Sequence, residues 1–374
     1  MTTYKIAILP GDGIGKDVIW EATKVLEAVE EVYPVNFERE TFPCGGEYYL
    51  ETGKEWPEEA FEVCKNKADA ILLGAIGHPK AILPNGDLAG TDVVFGLRFG
   101  LDLYANVRPT KLYPNVMHKI SNEFKQVWQP GKVDFVCVRE NTEGCYTPVR
   151  GYLARGGSRE LAVDGRTITR KGSERVIRFA FELAKRRNGA PYDGKSRVTC
   201  VDKSNVMAGC RLFRQIYGEI AEEYQEIERD YAYIDAFTQW VIRNPEWYDV
   251  AVLPNMLGDI ATDLASVLEG GMGMAAGGNI GDNHAMFEPI HGSAPKHAGK
   301  DKANPMAAIG ATKMMLDWVG RRHNDQNLLV AAGKVEDAVV AVLEEGRTLT
   351  YDLGGDAKCS EVGTAIAEKI KQMR

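Results

Sequence analysis

Short apolar runs alternate with helix-period segments along the chain. The run YKIAILP (4–10) is bounded by turn residues and predicts a buried strand. The glycine-rich loop GDGIGKD (11–17) follows, and VIWEATKVLEAVEEVY (18–33) then repeats apolar residues at helical spacing. Further strands are predicted by the apolar runs at 68–77, 133–140, 197–204 and 248–255. Strands separated by helices indicate an α/β fold with a largely parallel sheet that is covered on both faces.

One segment departs from this pattern. The stretch RGYLARGGSRELAVDGRTITRKGSERV (150–176) lacks long apolar periodicity and alternates apolar and polar residues around an Asp-Gly pair. Such alternation predicts a β-hairpin. Because a polar hairpin on an α/β body often packs against another subunit, we expect an intersubunit arm near 150–176. An ordinary surface hairpin is the alternative.

Composition and charge narrow the class of protein. The 374 residues are 44% apolar and 26% charged, which excludes a disordered chain and is enough for two domains. The formal charge of −8 argues against a nucleic acid or an anionic membrane as the partner. No apolar run approaches the roughly 18 residues that span a bilayer, and no secretory signal pattern is present. The seven cysteines are scattered and include no CxxC pair, so we expect no disulfide framework and a reduced, cytoplasmic protein.

The first loop resembles a phosphate-binding turn without completing the pattern. Gly11, Gly13 and Gly15 lie between a strand and a helix, where phosphates are often bound. The dinucleotide fingerprint GxGxxG would need a glycine where this chain has Lys16. We therefore interpret the loop as a tight turn near a ligand and not as a Rossmann signature.

Arginines and carboxylates suggest an anionic substrate and a metal ion. Arg98, Arg108 and Arg139 carry planar groups that bind carboxylates bidentately, although isolated arginines are more often solvated. Asp259 and Asp263 are four residues apart on one helical face, where their charges repel unless a cation lies between them. Mg²⁺ or Mn²⁺ prefers such oxygen ligands. The alternative is that Asp259 interacts with the helix N-terminus and Asp263 is solvated.

Three further residues could carry acid–base or binding chemistry. Lys203 and Tyr146 each follow a predicted strand, where loops position catalytic groups. A lysine with a lowered pKa can act as a base, and a tyrosine can deliver a proton. His291 lies in the polar loop 288–304 and is able to contact a heterocycle. A surface lysine, a core tyrosine and a structural histidine are the ordinary alternatives.

Seven segments appear in a fixed order: PGDGIGKDV, LRFGLDLYANVRPTK, VRENTEGCY, VDKSNVM, NMLGDIATDLAS, FEPIHGSAPKHAGKDKANP and TYDLGGDAKCSE. Together they resemble the β-decarboxylating dehydrogenases, which include isopropylmalate, isocitrate, homoisocitrate and D-malate/tartrate dehydrogenases. The resemblance covers nearly the whole chain. It implies the isopropylmalate dehydrogenase-like two-domain α/β fold with a parallel or mixed sheet, which is not a Rossmann fold.

The resemblance also implies how the chain is divided. A large cofactor-binding domain would comprise residues 1–105 and 259–374. A small dimerisation domain would comprise residues 106–258 and carry the arm near 150–176. The active site would lie in the cleft and be shared between the subunits of a homodimer, with a tetramer as the alternative.

The implied reaction is oxidation of a 2-hydroxy acid at C2, with hydride passing to NAD or NADP, followed by loss of CO₂. Tyr146 would act as the acid and the partner's Lys203 as the base. A small di- or tricarboxylic acid would be bound by Val94, Phe95, Arg98, Arg108 and Arg139, together with the partner's Asn205 and the partner's Val206.

The resemblance implies a metal site and a cofactor site as well. Asp259 and Asp263, with Asp235 of the partner subunit, would bind Mg²⁺ or Mn²⁺. The cofactor site would comprise Ile14, Ile76, Glu288, His291, Gly292, Ser293, Ala294, Lys296, His297, Asn304 and Tyr351.

The residues just before Arg98 differ from those of isocitrate enzymes, and this difference indicates which substrate the chain binds. Where isocitrate enzymes have Ser and Asn ahead of the first arginine, this chain has Asp92 and Val94. Asp92 would repel a third substrate carboxylate, whereas Val94, Phe95 and Val206 favour an alkyl group. We expect 3-isopropylmalate or another 3-alkylmalate. The alternatives are D-malate or tartrate, isocitrate or homoisocitrate, and, more remotely, a non-catalytic subunit.

The sequence leaves NAD and NADP both open. Lys296, His297 and Tyr351 resemble the NADP pattern, since cations pair with a 2′-phosphate. Gly355, however, stands where NADP-dependent isocitrate enzymes have an arginine.

Overall fold

A computed structural model of the protein describes residues 2–373. Within that range the strands are β1 (Thr2–Leu9), β2 (Val35–Thr41), β3 (Ala70–Leu73), β4 (Ala105–Lys111), β5 (His118–Ile120), β6 (Glu123–Lys125), β7 (Asp134–Glu140), β8 (Arg150–Arg155), β9 (Ser158–Asp164), β10 (Arg197–Asp202), β11 (Glu228–Tyr233), β12 (Val250–Leu253), β13 (Ala276–Ile280) and β14 (Ala285–Pro289).

The helices alternate with these strands. They are α1 (Ile14–Val32), α2 (Gly46–Thr52), α3 (Glu58–Asn66), α4 (Thr91–Gly100), α5 (Arg170–Ala184), α6 (Ala208–Ala221), α7 (Ile234–Arg243), α8 (Asn255–Ser266), α9 (Met306–His323), α10 (Gln326–Glu345) and α11 (Cys359–Gln372). Short 3₁₀ turns lie at Pro245–Trp247, Val267–Glu269 and Tyr351–Leu353. None of the helices within residues 2–373 is long and apolar enough to cross a membrane.

The chain forms two compact units. Unit 1 comprises the chain up to Leu103, Leu112–Pro130 and the chain from Ser266, and unit 2 comprises Tyr104–Lys111 and Gly131–Ala265. These limits differ in three places from the expected domain boundaries at 105 and 258: residues 104–105 and 259–265 lie in unit 2, and Leu112–Pro130 lies in unit 1. The β5–β6 hairpin lies in unit 1, where the buried His118 ring is hydrogen-bonded to the Leu268 carbonyl at 3.0 Å. All of α8 except Ser266 lies in unit 2, because α8 follows β12 directly.

The sheet of unit 1 has the strand order β13–β14–β3–β1–β2. The strands β14, β3, β1 and β2 run parallel, and β13 is antiparallel to β14. The apolar runs that predicted β1 and β3 are buried, as expected for strands covered on both faces. Helix α9 packs on β13 and β14, and α1 packs against α9 and α11.

The sheet of unit 2 has the strand order β11–β10–β12–β7–β4. Strands β11, β10, β12 and β7 are parallel, and β4 is antiparallel to β7. Helix α5 packs on β7 and β12. The carboxyl ends of the four parallel strands therefore lie at one edge of the sheet, and the loops that leave them carry most of the candidate catalytic residues. The expected α/β class and mixed sheet are confirmed.

The β8–β9 hairpin is exposed along its whole length. Every side chain of both strands faces solvent, including Tyr152, Leu161 and Val163. The expected arm at 150–176 was too long, because α5 begins at Arg170. Thr169 caps that helix by accepting a hydrogen bond from the Gly172 backbone N–H. The apolar face of α5 comes mainly after residue 176, so the polar first turn was mistaken for hairpin.

Glu21 is a buried carboxylate between α1 and α11. Its side chain packs against Gly363 and forms an ion pair with Lys24 at 2.7 Å. Burial raises the pKa of Glu21 above its ordinary value, although Lys24 opposes the shift. A carboxyl whose pKa is higher in the folded than in the unfolded protein lowers the stability of the fold as the pH rises. The loss begins near the unfolded-state pKa and is complete above the folded-state pKa.

Glu21→Gln is therefore expected to raise Tm at pH 8, by about 1 °C. The gain should vanish near pH 4, where the wild-type carboxyl is protonated. Thermal unfolding of both proteins across this range measures the effect. Glu31→Gln, which removes an exposed carboxylate of α1 paired with Lys371 at 2.9 Å, is the control. A lower Tm for Glu21→Gln at pH 8 would show that the Lys24 ion pair outweighs the burial penalty.

Candidate active site

Helix α8 presents polar side chains in its first turns, directly after β12. Asp259 and Asp263 lie one turn apart on the same face, with side chains 34% and 56% exposed. Asn255 and Thr262 of the same helix are buried. The expected pair of carboxylates on one helical face is therefore present, flanked by a buried amide and a buried hydroxyl.

Two arginines from neighbouring strands converge on this helix. Arg108 of β4 lies opposite Cys137 of β7, and Arg139 of β7 lies opposite Asn106 of β4. Arg139 lies two positions after Cys137, so this antiparallel register places both arginine side chains on one face of the sheet. Both arginines are buried. Convergence of two of the three predicted arginines thus follows from strand register.

Arg108 is bound by three side chains of α8. Its Nη1 donates to Thr262 Oγ1 at 2.7 Å and to Asp263 Oδ1 at 3.1 Å. Its Nη2 lies 3.4 Å from Asp259 Oδ1. The Nε group donates to Asn106 Oδ1 at 2.8 Å, so the guanidinium is held along its whole edge.

Arg139 is bound by the first turn of α8. Its Nε donates to Asn255 Oδ1 at 2.9 Å, and its Nη1 pairs with Asp259 Oδ1. A Cβ atom at position 258 would lie 2.7 Å from the Arg139 Cβ, so Gly258 allows the strand and helix to approach this closely.

Tyr146 completes the cluster around Asp259. Its hydroxyl donates to Asp259 Oδ2 at 2.8 Å, and its ring centroid lies 5.5 Å from the Arg139 guanidinium carbon. The loop that carries Tyr146 is fixed by buried Glu140, which accepts hydrogen bonds from the backbone N–H groups of Thr142 and Glu143 at 2.8 and 2.9 Å. Burial raises the pKa of Glu140. Asp259 is thus the common acceptor for a tyrosine and two arginines.

Lys203 and Asp235 form a second group, at the carboxyl ends of β10 and β11. Lys203 Nζ lies 2.7 Å from Asp235 Oδ1, and this ion pair lowers the pKa of the Asp235 carboxyl. Asn205 and Val206 are exposed beside Lys203 in sequence, with Val206 at 66% exposure. These four predicted residues therefore form a surface group, in which the lysine ammonium is bound to Asp235.

Arg98 lies in unit 1, on α4. It is buried and donates from Nη2 to Glu288 Oε1 at 3.1 Å, and Asn279 donates to the same oxygen at 2.7 Å. The Arg98 Nε is buried without a hydrogen-bond partner among residues 2–373. Glu288, expected as a cofactor residue, therefore contacts the predicted substrate-binding arginine.

The remaining predicted substrate residues of α4 surround Arg98. Val94 and Phe95 lie one turn before it on the same face of the helix, and the Phe95 ring centroid is 5.9 Å from the Arg98 guanidinium carbon. Asp92 is exposed and accepts a hydrogen bond from Trp56 Nε1 at 3.3 Å.

The glycine-rich loop and the segment 291–294 are in direct contact. Ile14 donates its backbone N–H to the Ser293 carbonyl at 2.8 Å, and the Ser293 hydroxyl bonds the carbonyl of Gly77, next to Ile76. A Cβ at Gly13 (φ +56°) would lie 2.1 Å from the Ser293 carbonyl oxygen. The loop holds its shape because buried Asp12 accepts backbone N–H bonds from Gly46, Glu47 and Gly77. The tight turn predicted from sequence is present.

The other predicted cofactor residues lie in two places. His297 stacks on Tyr351 with ring centroids 6.0 Å apart, and Asn304 donates to Asp352 at 3.0 Å. Gly292, Ala294 and Lys296 follow His291, and the side chain of Lys296 is exposed. Burial lowers the pKa of His291, so its ring is neutral at pH 7, and its Nε2 is buried without a hydrogen-bond partner among the described residues.

Comparison with known proteins identifies the family. The model of the isocitrate/isopropylmalate dehydrogenase family matches residues 5–366. The chain belongs to this family. It is 40% identical over 370 residues to the 3-isopropylmalate/3-methylmalate dehydrogenase of Methanocaldococcus jannaschii, with 99% of each chain covered. It is 43% identical over 350 residues to the 3-isopropylmalate dehydrogenase of Bifidobacterium longum, covering 92% of this chain and 94% of that one.

A solved structure agrees with this assignment. The crystal structure of isocitrate dehydrogenase from Methylococcus capsulatus matches with a TM-score of 0.85 and 35% identity, covering 99% of this chain and 100% of that chain. The chain is thus an oxidoreductase of the decarboxylating dehydrogenases that act on a CH–OH group. The predicted family, fold and enzyme class are confirmed.

Each unit contains polar residues beside the predicted site residues that the sequence patterns did not single out. Asn255 and Thr262 bind the two clustered arginines, Asp12 organises the first loop, and Asp352 binds Asn304. Asn255 and Thr262 lie within the motif NMLGDIATDLAS, so their position in it was the available signal. No local pattern marked Asp12, because its partners come from distant loops.

The described part of the chain contains two of the three expected metal ligands in one cluster. Across residues 2–373, no group of three or more His, Cys, Asp or Glu side chains is placed to hold a metal ion. Asp259 and Asp263 lie together, whereas Asp235 is bound to Lys203. The role of Asp235 as a third ligand from a second subunit stays a prediction.

Proposed function

We propose that this chain catalyses the oxidative decarboxylation of a 3-alkylmalate, with 3-isopropylmalate preferred, and transfers hydride to NAD or NADP. The observation that carries the proposal is the convergence of Arg108, Arg139 and the Tyr146 hydroxyl on Asp259. Cations that bind carboxylates, a proton donor and a metal-binding carboxylate thereby lie within one cluster. The names of the 40–43% identical relatives favour the 3-isopropylmalate substrate.

Asp259 and Asp263 would hold Mg²⁺ or Mn²⁺, together with Asp235 of the partner subunit. Their carboxylates fit such an ion because they are hard oxygen donors on one helical face, partly exposed, and neutralised here by arginines. When bound, the ion supplies Lewis-acid polarisation of the substrate's 2-hydroxyl and the adjoining carboxylate.

The remaining chemistry is assigned to side chains of this protein. Arg98, Arg108 and Arg139 are the proposed ligands of the substrate carboxylates, and the unpartnered Nε of Arg98 is a donor available for such a ligand. The partner's Lys203, as the neutral amine, accepts the proton of the 2-hydroxyl and becomes an ammonium, while hydride leaves C2 for the nicotinamide. The C3–carboxylate bond then breaks with release of CO₂, and its electron pair is protonated at C3 by the Tyr146 hydroxyl.

The surroundings of Arg98 support an alkyl substituent on the substrate. Val94 and Phe95 share one face of α4 with Arg98, and Val206 is an exposed apolar residue of the kind that a partner subunit can supply. Burying two or three carbons of an alkyl group stabilises binding by roughly 1.5–2.5 kcal/mol. Asp92 adds an exposed negative charge one turn before Phe95 and Gly96, which disfavours a third carboxylate.

A substrate and cofactor grid tests the proposal. Purified protein with Mn²⁺ would be assayed for reduced nicotinamide with 3-isopropylmalate, D-malate, D-tartrate, isocitrate and homoisocitrate, each with NAD and with NADP. We expect the highest kcat/KM with 3-isopropylmalate. A preference for isocitrate would overturn the interpretation of Asp92 and Val94, and no turnover on any substrate would overturn the proposed function.

Val94→Thr is expected to lower kcat/KM for 3-isopropylmalate by about tenfold. Threonine has nearly the shape of valine but places a hydroxyl against the alkyl group, which costs on the order of 1–2 kcal/mol. The value for D-malate, which has no alkyl group, should change by less than about twofold and serves as the internal control. Equal losses on both substrates would show that Val94 does not contact the substituent.

Isocitrate oxidation is the second candidate function. It is favoured by the 35% identical solved structure, which is named an isocitrate dehydrogenase and has a TM-score of 0.85. Isocitrate would need an additional cationic or hydroxyl group near its third carboxylate, and Val94 and Phe95 do not supply one.

A homodimer in the cytoplasm is part of the proposal. The exposed apolar side chains of the β8–β9 hairpin, among them Tyr152, Leu161 and Val163, support an intersubunit arm, because isolated two-stranded hairpins are marginal in water. The basic and aromatic group of Lys302, His297 and Tyr351 supports NADP, with Lys302 Nζ 5.4 Å from the Tyr351 ring centroid. The same grid decides between the two cofactors.

A further inference from the structure

Asn255 occupies the junction between β12, α8 and the loop that carries Tyr146. It is the first residue of α8 and is 2% exposed. Its Nδ2 donates to the Glu143 carbonyl at 2.8 Å, and its Oδ1 accepts from Arg139 Nε at 2.9 Å. Both ends of the buried amide are therefore used, each by a different element.

The bond to Arg139 fixes the direction of the guanidinium. With Nε held by Asn255, the guanidinium plane is set, and the two Nη groups are presented away from the strand. One of them, Nη1, pairs with Asp259. A planar fork binds a carboxylate well only in a narrow range of orientations. Anchoring Nε therefore prepares Arg139 to bind a substrate carboxylate.

The bond to Glu143 fixes the loop that leads to Tyr146. The Glu143 carbonyl lies three residues before Tyr146, and a Cβ at Gly144 (φ +84°) would lie 3.0 Å from the Asn255 Cβ. The loop thus packs directly on Asn255 as well as bonding to it. Movement of Asn255 would displace the start of the segment that directs the Tyr146 hydroxyl toward Asp259.

The chemistry of this position requires an amide. One oxygen acceptor must face an arginine and one donor must face a backbone carbonyl, and neutral asparagine supplies both. Aspartate would keep the acceptor but place a second oxygen against the Glu143 carbonyl. Alanine would leave the Arg139 Nε and the Glu143 carbonyl buried without these partners.

We propose that Asn255 is a positioning residue that sets Arg139 and the Tyr146 loop together, without itself touching the substrate. This inference rests on the proposed function, since it assigns substrate binding to Arg139 and proton donation to Tyr146. It predicts separable effects, because loss of the Arg139 contact acts on substrate KM and loss of the Glu143 contact acts on kcat.

The test compares Asn255→Ala and Asn255→Asp with the wild type, on the substrate that the wild type oxidises best. Asn255→Ala is expected to raise substrate KM and to lower kcat/KM by about 10- to 100-fold, while the KM for the dinucleotide stays unchanged. Asn255→Asp, which keeps the acceptor for Arg139, is expected to lower kcat with a smaller rise in substrate KM.

Two controls separate positioning from a loss of folding. Thr199→Ala removes a buried hydroxyl of the same unit, bonded to Asp230 at 3.0 Å, and should lower Tm without changing substrate KM. Arg139→Lys lacks the Nε contact with Asn255. Adding Asn255→Ala to Arg139→Lys should therefore raise substrate KM by less than about threefold over Arg139→Lys alone.

The outcomes distinguish the two proposals. A wild-type substrate KM in Asn255→Ala, or fully additive KM effects with Arg139→Lys, would overturn the positioning role alone. No wild-type turnover on any substrate of the grid would instead overturn the proposed function on which that role rests.

Discussion

Lys203→Met is expected to lower turnover on the best substrate by about 10²–10⁴-fold, the usual contribution of a general base. Methionine has a similar length and no amino group, so it removes the proton acceptor with little change in volume. The Asp235 carboxylate would lose its 2.7 Å ion pair, but it is largely exposed and can be hydrated. Steady-state kinetics with saturating Mn²⁺ measures the loss, and direct Mn²⁺ titration should show binding to the variant.

Lys195→Met is the matched control for this substitution. Lys195 is an exposed lysine of the same unit, and it pairs with Glu228 at 3.2 Å at the opposite end of β10 from Lys203. Its replacement removes the same charge and should leave kcat unchanged. Normal turnover in Lys203→Met would contradict the assignment of this lysine as the base.

Mixing two inactive variants tests whether the site is shared between subunits. Lys203 is bound to Asp235, whereas Tyr146 is bound to Asp259. If Lys203 acts in the partner's site, a heterodimer of Lys203→Met and Tyr146→Phe chains contains one site with both groups intact. Random reassociation of equal amounts should then restore about a quarter of wild-type activity, since half of the dimers have one of two sites. No recovery in verified heterodimers would contradict a shared site.

The strands that the apolar runs predicted are parallel strands that are mainly buried. β1, β3, β7, β10 and β12 are apolar runs because both faces of a central parallel strand are covered. Two strands that were not predicted, β2 and β4, have mixed patterns. β2 reads VNFERET at the edge of its sheet, and β4 reads ANVRPTK with a proline and a functional arginine. Local periodicity cannot identify strands whose residues serve an edge or a site.

The sequence identified the individual residues of the candidate site but not which of them contact each other. The motif order identified Arg108, Arg139, Asp259, Asp263 and Tyr146, but their meeting depends on the antiparallel register of β4 with β7. That register joins residues about 30 positions apart, which no local pattern records. The motifs also did not show that the arginines form ion pairs with the predicted metal-binding carboxylates.

Buried polar residues with structural roles were the least visible from sequence. Asp12 and Glu140 lie in motifs that predict ligand binding, yet their carboxylates accept backbone N–H bonds that shape the loops. A carboxylate next to a predicted site looks the same in sequence whether it binds a ligand or a loop. Only the identity of its donors separates the two roles.

Asp259→Asn is expected to lower kcat/KM by about 10³-fold, because a metal ligand supplies several kcal/mol of transition-state stabilisation. Asparagine keeps the size of the side chain and an acceptor for one arginine, so the fold should be retained. It loses the charge that balances Arg108 and Arg139, and its amide would place a donor or a weaker acceptor against the Tyr146 hydroxyl. Mn²⁺ affinity, measured by calorimetry, should fall in parallel with activity.

Two further variants show whether the loss of Mn²⁺ affinity is specific to Asp259. Asp263→Asn should have a smaller effect, since Asp263 is more exposed than Asp259 and pairs with Arg108 at 3.1 Å. Asp134→Asn removes a carboxylate of the same unit that also pairs with an arginine, Arg187 at 2.7 Å, and should leave Mn²⁺ affinity unchanged. Wild-type Mn²⁺ affinity in Asp259→Asn would show that this carboxylate serves to hold the arginines. A metal site on the exposed face of α8 requires that Mn²⁺ affinity falls most in Asp259→Asn, less in Asp263→Asn and not at all in Asp134→Asn. All three carboxylates pair with an arginine, but only Asp259 and Asp263 lie on the same face of α8.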